Sequence, residues 1–226
     1  MKEANAVKEI KLSELFNRCL RAKYIHTVED GDYAIEREGD TLYLLFQWSH
    51  SHMDWVSNFD FPARAYKNGD DKWRVHRGFL RVWKAMRNDI ERVVIDTLNE
   101  HEEIAEIVCV GYSHGAAIAL LATEDMQYLF GEYKKISGFG FGAPRVVWGK
   151  LPEAVAARVG HFKAICHKQD IVTHLPPTVF GFRHPNILRL KTQKKLNCVD
   201  AHRPENYMET AEKYLIRERN KDSWQM

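Results

Sequence analysis

The residues of this chain best placed to do chemistry lie in one pentapeptide, Gly111-Tyr112-Ser113-His114-Gly115. A serine hydroxyl becomes a useful nucleophile when a neighbouring base takes its proton. Glycines on either side permit a turn too sharp for flanking side chains, so the hydroxyl stands clear of the backbone. The apolar run Ile104 to Val110 comes before it and reads as a buried strand ending at Gly111. Ala116 to Ala122 follows and, rich in good helix formers, reads as a buried helix. Ser113 then sits at a helix N-terminus, where unpaired N–H groups and partial positive charge favour an oxyanion. The competing reading is a glycine turn with no chemistry.

A serine nucleophile needs a base, and the base needs an orienting carboxylate. On a strand-to-helix elbow the partners follow in the order serine, acid, histidine. Catalytic groups collect where strands end at the carboxyl edge of a sheet. Asp170 meets both conditions, because it follows Ser113 and ends the apolar run His161 to His167. Asp125 falls on the elbow helix, and Asp200 is two residues from His202, a poor spacing for an oriented pair. Among the later histidines, His202 opens a loop entering the last helix and can swing over the sheet edge. His174 is too close to Asp170 to reach around it, and His184, in a Pro-rich loop, is held in reserve. For each of these residues the alternative is a solvated or structurally satisfied side chain.

The elements that must position these groups follow from periodicity. Val7 to Ala22 carries apolar residues at helical spacing and predicts a helix. Tyr33 to Glu38 and Thr41 to Gln47 predict a hairpin turning at Gly39-Asp40. Trp48 to Asn58 predicts a loop, followed by a Pro- and Gly-containing stretch to Asp71. Val75 to Leu80 leads into a long helix ending near Leu98. After the elbow come a strand Ile136 to Phe141, a short helix Leu151 to Arg158, the strand His161 to His167, a strand at Ile187 to Leu190 and a terminal helix Glu205 to Arg219. Strands alternating with helices predict one α/β domain over residues 1–226, with a mostly parallel sheet covered on both faces.

The 226 residues suffice for one full core, and a 45% hydrophobic, 28% charged composition is that of an ordinary globular chain. A net charge of +2 gives no reason to expect nucleic acid or an anionic membrane as a partner. Cys19, Cys109, Cys166 and Cys198 are widely spaced, which predicts neither a zinc knuckle nor a disulfide scaffold. The first residues contain no apolar signal region, and no segment is long enough to span a membrane. The expectation is therefore a cytoplasmic protein, or one released by a non-classical route. The sequence leaves oligomeric state open.

Sequence blocks across Leu42 to Tyr207 resemble the class 3 lipase family of α/β hydrolases, which includes fungal triacylglycerol lipases and feruloyl esterases. Phe46-Gln47-Trp48-Ser49 with Asp54-Trp55 and Asn58-Phe59-Asp60 resembles the family's F-R-G-T…D-W…N-L block. Val75-His76-Arg77-Gly78-Phe79 resembles its V-H-x-G-F, and Gly111 to Ala119 is similar to its elbow. Phe141 to Val146 and Asp170 to Pro177 resemble its F-G-A-P-R-V and D-x-V-x-x-L-P-P. The resemblance implies Ser113 as nucleophile, Asp170 as acid and His202 as base. It also implies oxyanion donors at Ser49 and at the backbone N–H of His114. Gln47-Trp48 departs from the family's Arg-Gly, which makes Trp48 a candidate to line the pocket. His50 to Asn58 takes the place of the family's lid helix, with Trp55 as either a cover or a core residue. Val179 and Phe180 are candidates for an apolar, substrate-binding rim.

The reading that follows is a serine hydrolase acting on carboxylic esters, with no cofactor. The same triad serves an acyltransferase. A binding or structural protein on a hydrolase fold is a second class, and a metalloprotein using His50, His52 and His76 is a third.

Overall fold

The computed structural model describes residues 9–27, 31–48, 62–192, 194–219 and 223–225. Among these, a central seven-stranded sheet dominates. Its strands, in chain order, are β2 (Ile25–His26), β3 (Gly31–Glu38), β4 (Thr41–Trp48), β7 (Glu106–Tyr112), β8 (Lys135–Phe141), β10 (Phe162–His167) and β12 (Ile187–Leu190). They lie side by side as β12-β10-β8-β7-β4-β3-β2. The five strands from β12 to β4 are parallel, and β3 runs against them, paired antiparallel with β4 on one side and β2 on the other. The mostly parallel α/β-hydrolase sheet predicted from strand–helix alternation is therefore present.

The helices are α1 (Leu12–Arg21), α2 (Arg77–Glu100), α3 (His114–Phe130), α4 (Glu153–Gly160) and α5 (Pro204–Ala211). Parallel strands need crossovers, and these crossovers cover both faces of the sheet. Along β4, Leu42, Leu44 and Phe46 join one buried cluster and Leu45 joins the other. In β7, Ile107 and Cys109 face the first, while Val108, Val110 and Tyr112 face the second. The first cluster packs under α2, α3 and α4, and the second under α1 and α5. Each large side chain fully buried this way contributes about 1.5–3 kcal/mol before entropy is counted. β7 is buried at every position, so its near-continuous apolar run is what a central strand covered on both faces requires.

A second sheet is antiparallel and smaller, ordered β11-β9-β6-β5, from β5 (Ala63–Asn68), β6 (Asp71–His76), β9 (Val147–Trp148) and β11 (Phe182–Arg183). Its β5–β6 hairpin begins in the Pro- and Gly-containing stretch that leads to Asp71, for which the sequence predicts no strand. Trp73 and Val75 face the core while Lys72 and Arg74 face water, a polar-out alternation too weak in apolar content to register as a strand.

Both ends of the chain depart from expectation. The first helix starts at Leu12 rather than Val7, because Glu9–Lys11 forms β1 and pairs with β13 (Leu215–Arg219). The last helix stops at Ala211 rather than reaching Arg219, and the chain turns back into β13, which also pairs with β14 (Ser223–Gln225). Ile10 and Ile216, partners across this ribbon, are buried in the core.

Candidate active site

The elbow follows from what surrounds its glycines. A Cβ on Gly111 would lie 2.2 Å from the carbonyl oxygen of Gly115, and one on Gly115 would lie 2.1 Å from that of Phe46. The first turn of α3 is thus pressed onto β7 and β4 with backbone against backbone. Between them Ser113 has φ 55° and ψ −122°, and it is the one non-glycine residue at positive φ among the described residues. Such a conformation costs about 1–3 kcal/mol. It is held by hydrogen bonds from the Ser113 N–H to Phe141 O at 2.9 Å and from the Ala116 N–H to Ser113 O at 3.0 Å.

Asp170 lies just beyond the carboxyl end of β10 and is fully buried. Its Oδ1 accepts the N–H of Val172 at 2.9 Å. Its Oδ2 accepts the Tyr207 hydroxyl at 2.7 Å and faces Nδ1 of His202 at 2.8 Å. A carboxylate only accepts, so Nδ1 of His202 carries the proton and Nε2 is left to accept. Nε2 lies 2.9 Å from Oγ of Ser113. The sequence candidates Ser113, His202 and Asp170 therefore converge in one buried line, across separations of 89 and 32 residues.

His202 is held by a loop as much as by its own helix. It ends a 3₁₀ turn, Asp200–His202, just before α5. Asn197 Oδ1 receives the N–H groups of Val199 and Asp200 at 3.0 and 2.7 Å, setting the turn. From the elbow strand, the Tyr112 hydroxyl donates to the His202 carbonyl at 2.5 Å, and its ring stacks on the imidazole at 5.3 Å. Gly142 closes the other side with φ 60°, where a Cβ would meet Cε1 of His202 at 2.9 Å. Any other residue there is strained and pushes the imidazole away.

Tyr207 is the site residue that sequence reasoning missed. It is fully buried, accepts the His167 N–H at 3.0 Å and donates its hydroxyl hydrogen bond to Asp170. Burial and the neighbouring Asp170 charge hold its phenol well above the usual tyrosine range, so it remains a donor. Its position on α5, five residues after His202, was the available signal. His174 and His184 are occupied elsewhere: Nδ1 of the first bonds to Asp170 O at 2.8 Å, and Nε2 of the second to Thr173 O at 2.9 Å. Burial lowers the pKa of His184 to about 4.

His114 is the first residue of α3, so its N–H leaves the helix end beside Ser113. Its side chain is buried edge-on against Phe79 at 5.0 Å, and Phe79 packs on His76 at 4.4 Å, with Phe182 beyond at 5.8 Å. Burial, with His76 nearby, lowers the His114 pKa to about 3, so this ring is neutral. Val179 and Phe180 stand on a 3₁₀ turn, Thr178–Phe180, and are 83% and 57% exposed. Trp48 closes β4 opposite Gly31, and what its side chain does lies outside the described residues. So do Ser49, Trp55, the whole His50 to Asn58 segment, and His50 and His52 of the metal alternative. His76, the third histidine of that alternative, ends β6 in the aromatic stack. No helix among the described residues is long and apolar enough to cross a membrane.

Known proteins resemble this arrangement. The chain is 34% identical to a lipase of Rhizopus niveus over 149 residues, which is 65% of this chain and 38% of the relative. It is 28% identical to secreted mono- and diacylglycerol lipase A of Penicillium cyclopium over 155 residues, covering 68% and 49%. The solved structure of lipase II from Rhizopus niveus superposes with a TM-score of 0.67 at 29% identity, over 80% of this chain and 67% of that one. The chain thus spans less than half the length of these two curated relatives. They also correct one expectation. The cytoplasmic assignment rested on the first residues alone, and relatives named as secreted overturn it. The class 3 lipase sequence profile matches residues 43–180, a span that holds the oxyanion-loop block, the elbow and the acid. With the elbow, the buried triad and the sheet order all in agreement, the chain belongs to the class 3 lipase family.

Proposed function

We propose that this chain, as a single α/β-hydrolase domain, hydrolyses carboxylic esters of lipids through an acyl-enzyme on Ser113. The observation that carries this reading is His202, bridging Ser113 Oγ at 2.9 Å and Asp170 Oδ2 at 2.8 Å. Nε2 takes the serine proton as Oγ attacks the ester carbonyl carbon. The imidazolium that forms is stabilised by Asp170, whose charge is itself held by Val172 and Tyr207. The carbonyl oxygen, now negative, is received by the His114 N–H and by Ser49. Collapse expels the alcohol, which takes its proton from Nε2. Water then repeats the cycle on the acyl-enzyme and releases the acid. Trp48, Trp55, Val179 and Phe180 complete the proposal as substrate-contacting residues.

A fluorophosphonate probe tests the reading directly. Labelling confined to Ser113, and abolished by Ser113→Ala, is expected. A folded protein that turns over p-nitrophenyl esters without labelling at Ser113 would refute it. Ser49→Ala, with Ser51→Ala as the matched control, tests the oxyanion assignment. The first should lower kcat about a hundredfold or more with little change in KM.

A further inference from the structure

The solvent face of the small sheet carries charges that the fold itself does not explain. Lys67 and Lys72 are direct partners across the β5–β6 hairpin, and both are exposed. Like charges placed opposite each other destabilise a strand pair. Among the described residues their one acidic contact is a long one, Lys67 to Asp70 at 4.0 Å, with Asp70 fully in water. In the next row outward on the same face, Arg74 is the register partner of Trp148, and its guanidinium lies 4.0 Å above the indole ring.

Trp148 joins these cations to an apolar tip. Its indole N–H donates to Phe180 O at 2.8 Å. Gly181, at φ 87°, sits so close that a Cβ would come within 2.9 Å of the indole nitrogen. The turn is therefore clamped to the sheet while Val179 and Phe180 project into solvent. Two adjacent large apolar side chains, 83% and 57% exposed, on a rigid turn beside a row of unneutralised cations form a surface of mixed character. An acidic protein would match the cations and leave the tip in water. A negatively charged lipid surface matches both, with phosphate at the Lys67, Lys72 and Arg74 face and acyl chains around Val179 and Phe180. Phe182, which follows the tip, is linked to His114 by three ring contacts through His76 and Phe79, so the tip and the elbow belong to the same end of the protein.

We propose that the Lys67–Lys72–Arg74 face and the Val179–Phe180 tip together dock the protein on anionic lipid surfaces. This surface deepens the lipid-ester reading, but its test does not depend on catalysis. The full chain carrying Ser113→Ala is sedimented with phosphatidylcholine vesicles, with and without added phosphatidylglycerol. Binding should require phosphatidylglycerol and weaken as salt is raised. Lys67→Glu with Lys72→Glu should weaken it at least tenfold, at roughly fivefold for each cation lost. Val179→Ser with Phe180→Ser should weaken it by about tenfold or more, with an unchanged thermal unfolding curve. In the active chain, the lysine pair of substitutions should leave turnover of a soluble p-nitrophenyl ester at the wild-type rate. Equal binding to both vesicle types would overturn the proposal. So would binding that survives loss of the apolar tip, which would mark a purely electrostatic surface suited to an acidic protein. Loss of soluble-ester turnover on Ser113→Ala, measured separately, tests the hydrolase reading and not this one.

Discussion

Helix α3 bears two buried polar clusters, and they are built on opposite rules. At its N-terminal end, the fully buried Asp170 has only neutral donors in the resting state: an imidazole, a phenol and a backbone N–H. Toward its C-terminal end, Glu124 and Asp125 are equally buried but meet guanidinium groups. Arg158 reaches Glu124 at 2.7 Å and Asp71 at 3.0 Å, while Arg87 reaches Asp125 at 2.7 Å. Asn68 bridges both acids from the hairpin, at 2.6 and 3.0 Å. The second cluster ties α2, α3, α4 and the β5–β6 hairpin together through direct contacts between acids and guanidinium groups. The first keeps its charge uncommitted. An arginine beside Asp170 would neutralise it permanently and leave less to stabilise the imidazolium as it forms. Burial alone therefore does not mark a catalytic acid; the nature of its partners does.

Breaking each cluster should give a different signature. The largest effect is expected from Ser113→Ala, with kcat falling about a millionfold and the unfolding curve unmoved. Asp170→Asn keeps the shape but lets His202 adopt the wrong tautomer, for a loss of about ten-thousandfold in kcat. At the other cluster, Arg158→Met leaves Glu124 buried without its cation. It should destabilise the fold by about 3–5 kcal/mol in denaturant unfolding while the folded fraction keeps its kcat. If Arg158→Met instead lowered kcat at unchanged stability, the division between the two clusters would fail.

Tyr207→Phe refines the comparison. It removes one charge-assisted bond to Asp170 and none of the reacting groups. A drop in kcat of about tenfold to a hundredfold, with KM steady, is expected. A matching fall in melting temperature with no kinetic change would make Tyr207 merely structural.

The smallest effect concerns pH. Burial, and then the hydrogen bond and charge of Glu91, raise the Asp125 pKa above the ordinary carboxylate range. The folded state then binds more protons than the unfolded one once pH exceeds about 4, so stability falls as pH rises from there toward neutrality. Urea unfolding at stepped pH should show that slope, at most about 1.4 kcal/mol per pH unit for one proton, and Asp125→Asn should flatten it.

What the sequence made legible was local. The two glycines of the elbow announce a close approach that only glycine permits, and the structure places backbone 2.2 and 2.1 Å from where each Cβ would be. Asp170 could be found because it ends a strand, and His202 because it precedes the last helix. Tyr207 was hidden because its bond to Asp170 spans 37 residues and exists only once α5 packs over β10. Leu215–Arg219 mixes charges as a surface helix does, and its pairing with Glu9–Lys11, from the far end of the chain, decides against a helix. The Arg87, Glu124 and Arg158 cluster left no trace in spacing, since its members come from three helices and a hairpin that read as polar loop.

The bond from Tyr112 to the His202 carbonyl has a consequence for how activity is lost on heating. Between β12 and α5 the described residues 191, 192 and 194–203, which include His202, hold one short 3₁₀ segment, Asp200–His202, and otherwise turns and irregular chain. Beside the triad bonds of His202 they are attached through single contacts: the Tyr112 bond, the Ile171 N–H to Cys198 O bond at 3.3 Å, the Lys191 N–H to the Tyr214 hydroxyl at 2.8 Å, Lys194 to Glu209, and the Asn206 side-chain N–H to Asp200 O at 2.8 Å. Such a segment opens at a lower free energy than the buried strands beneath it. The imidazole would then leave while the nucleophile stayed rigidly presented on its elbow. On the proposed hydrolysis, heat should therefore abolish ester turnover below the temperature at which the sheet melts, and cooling should restore it without any need to refold.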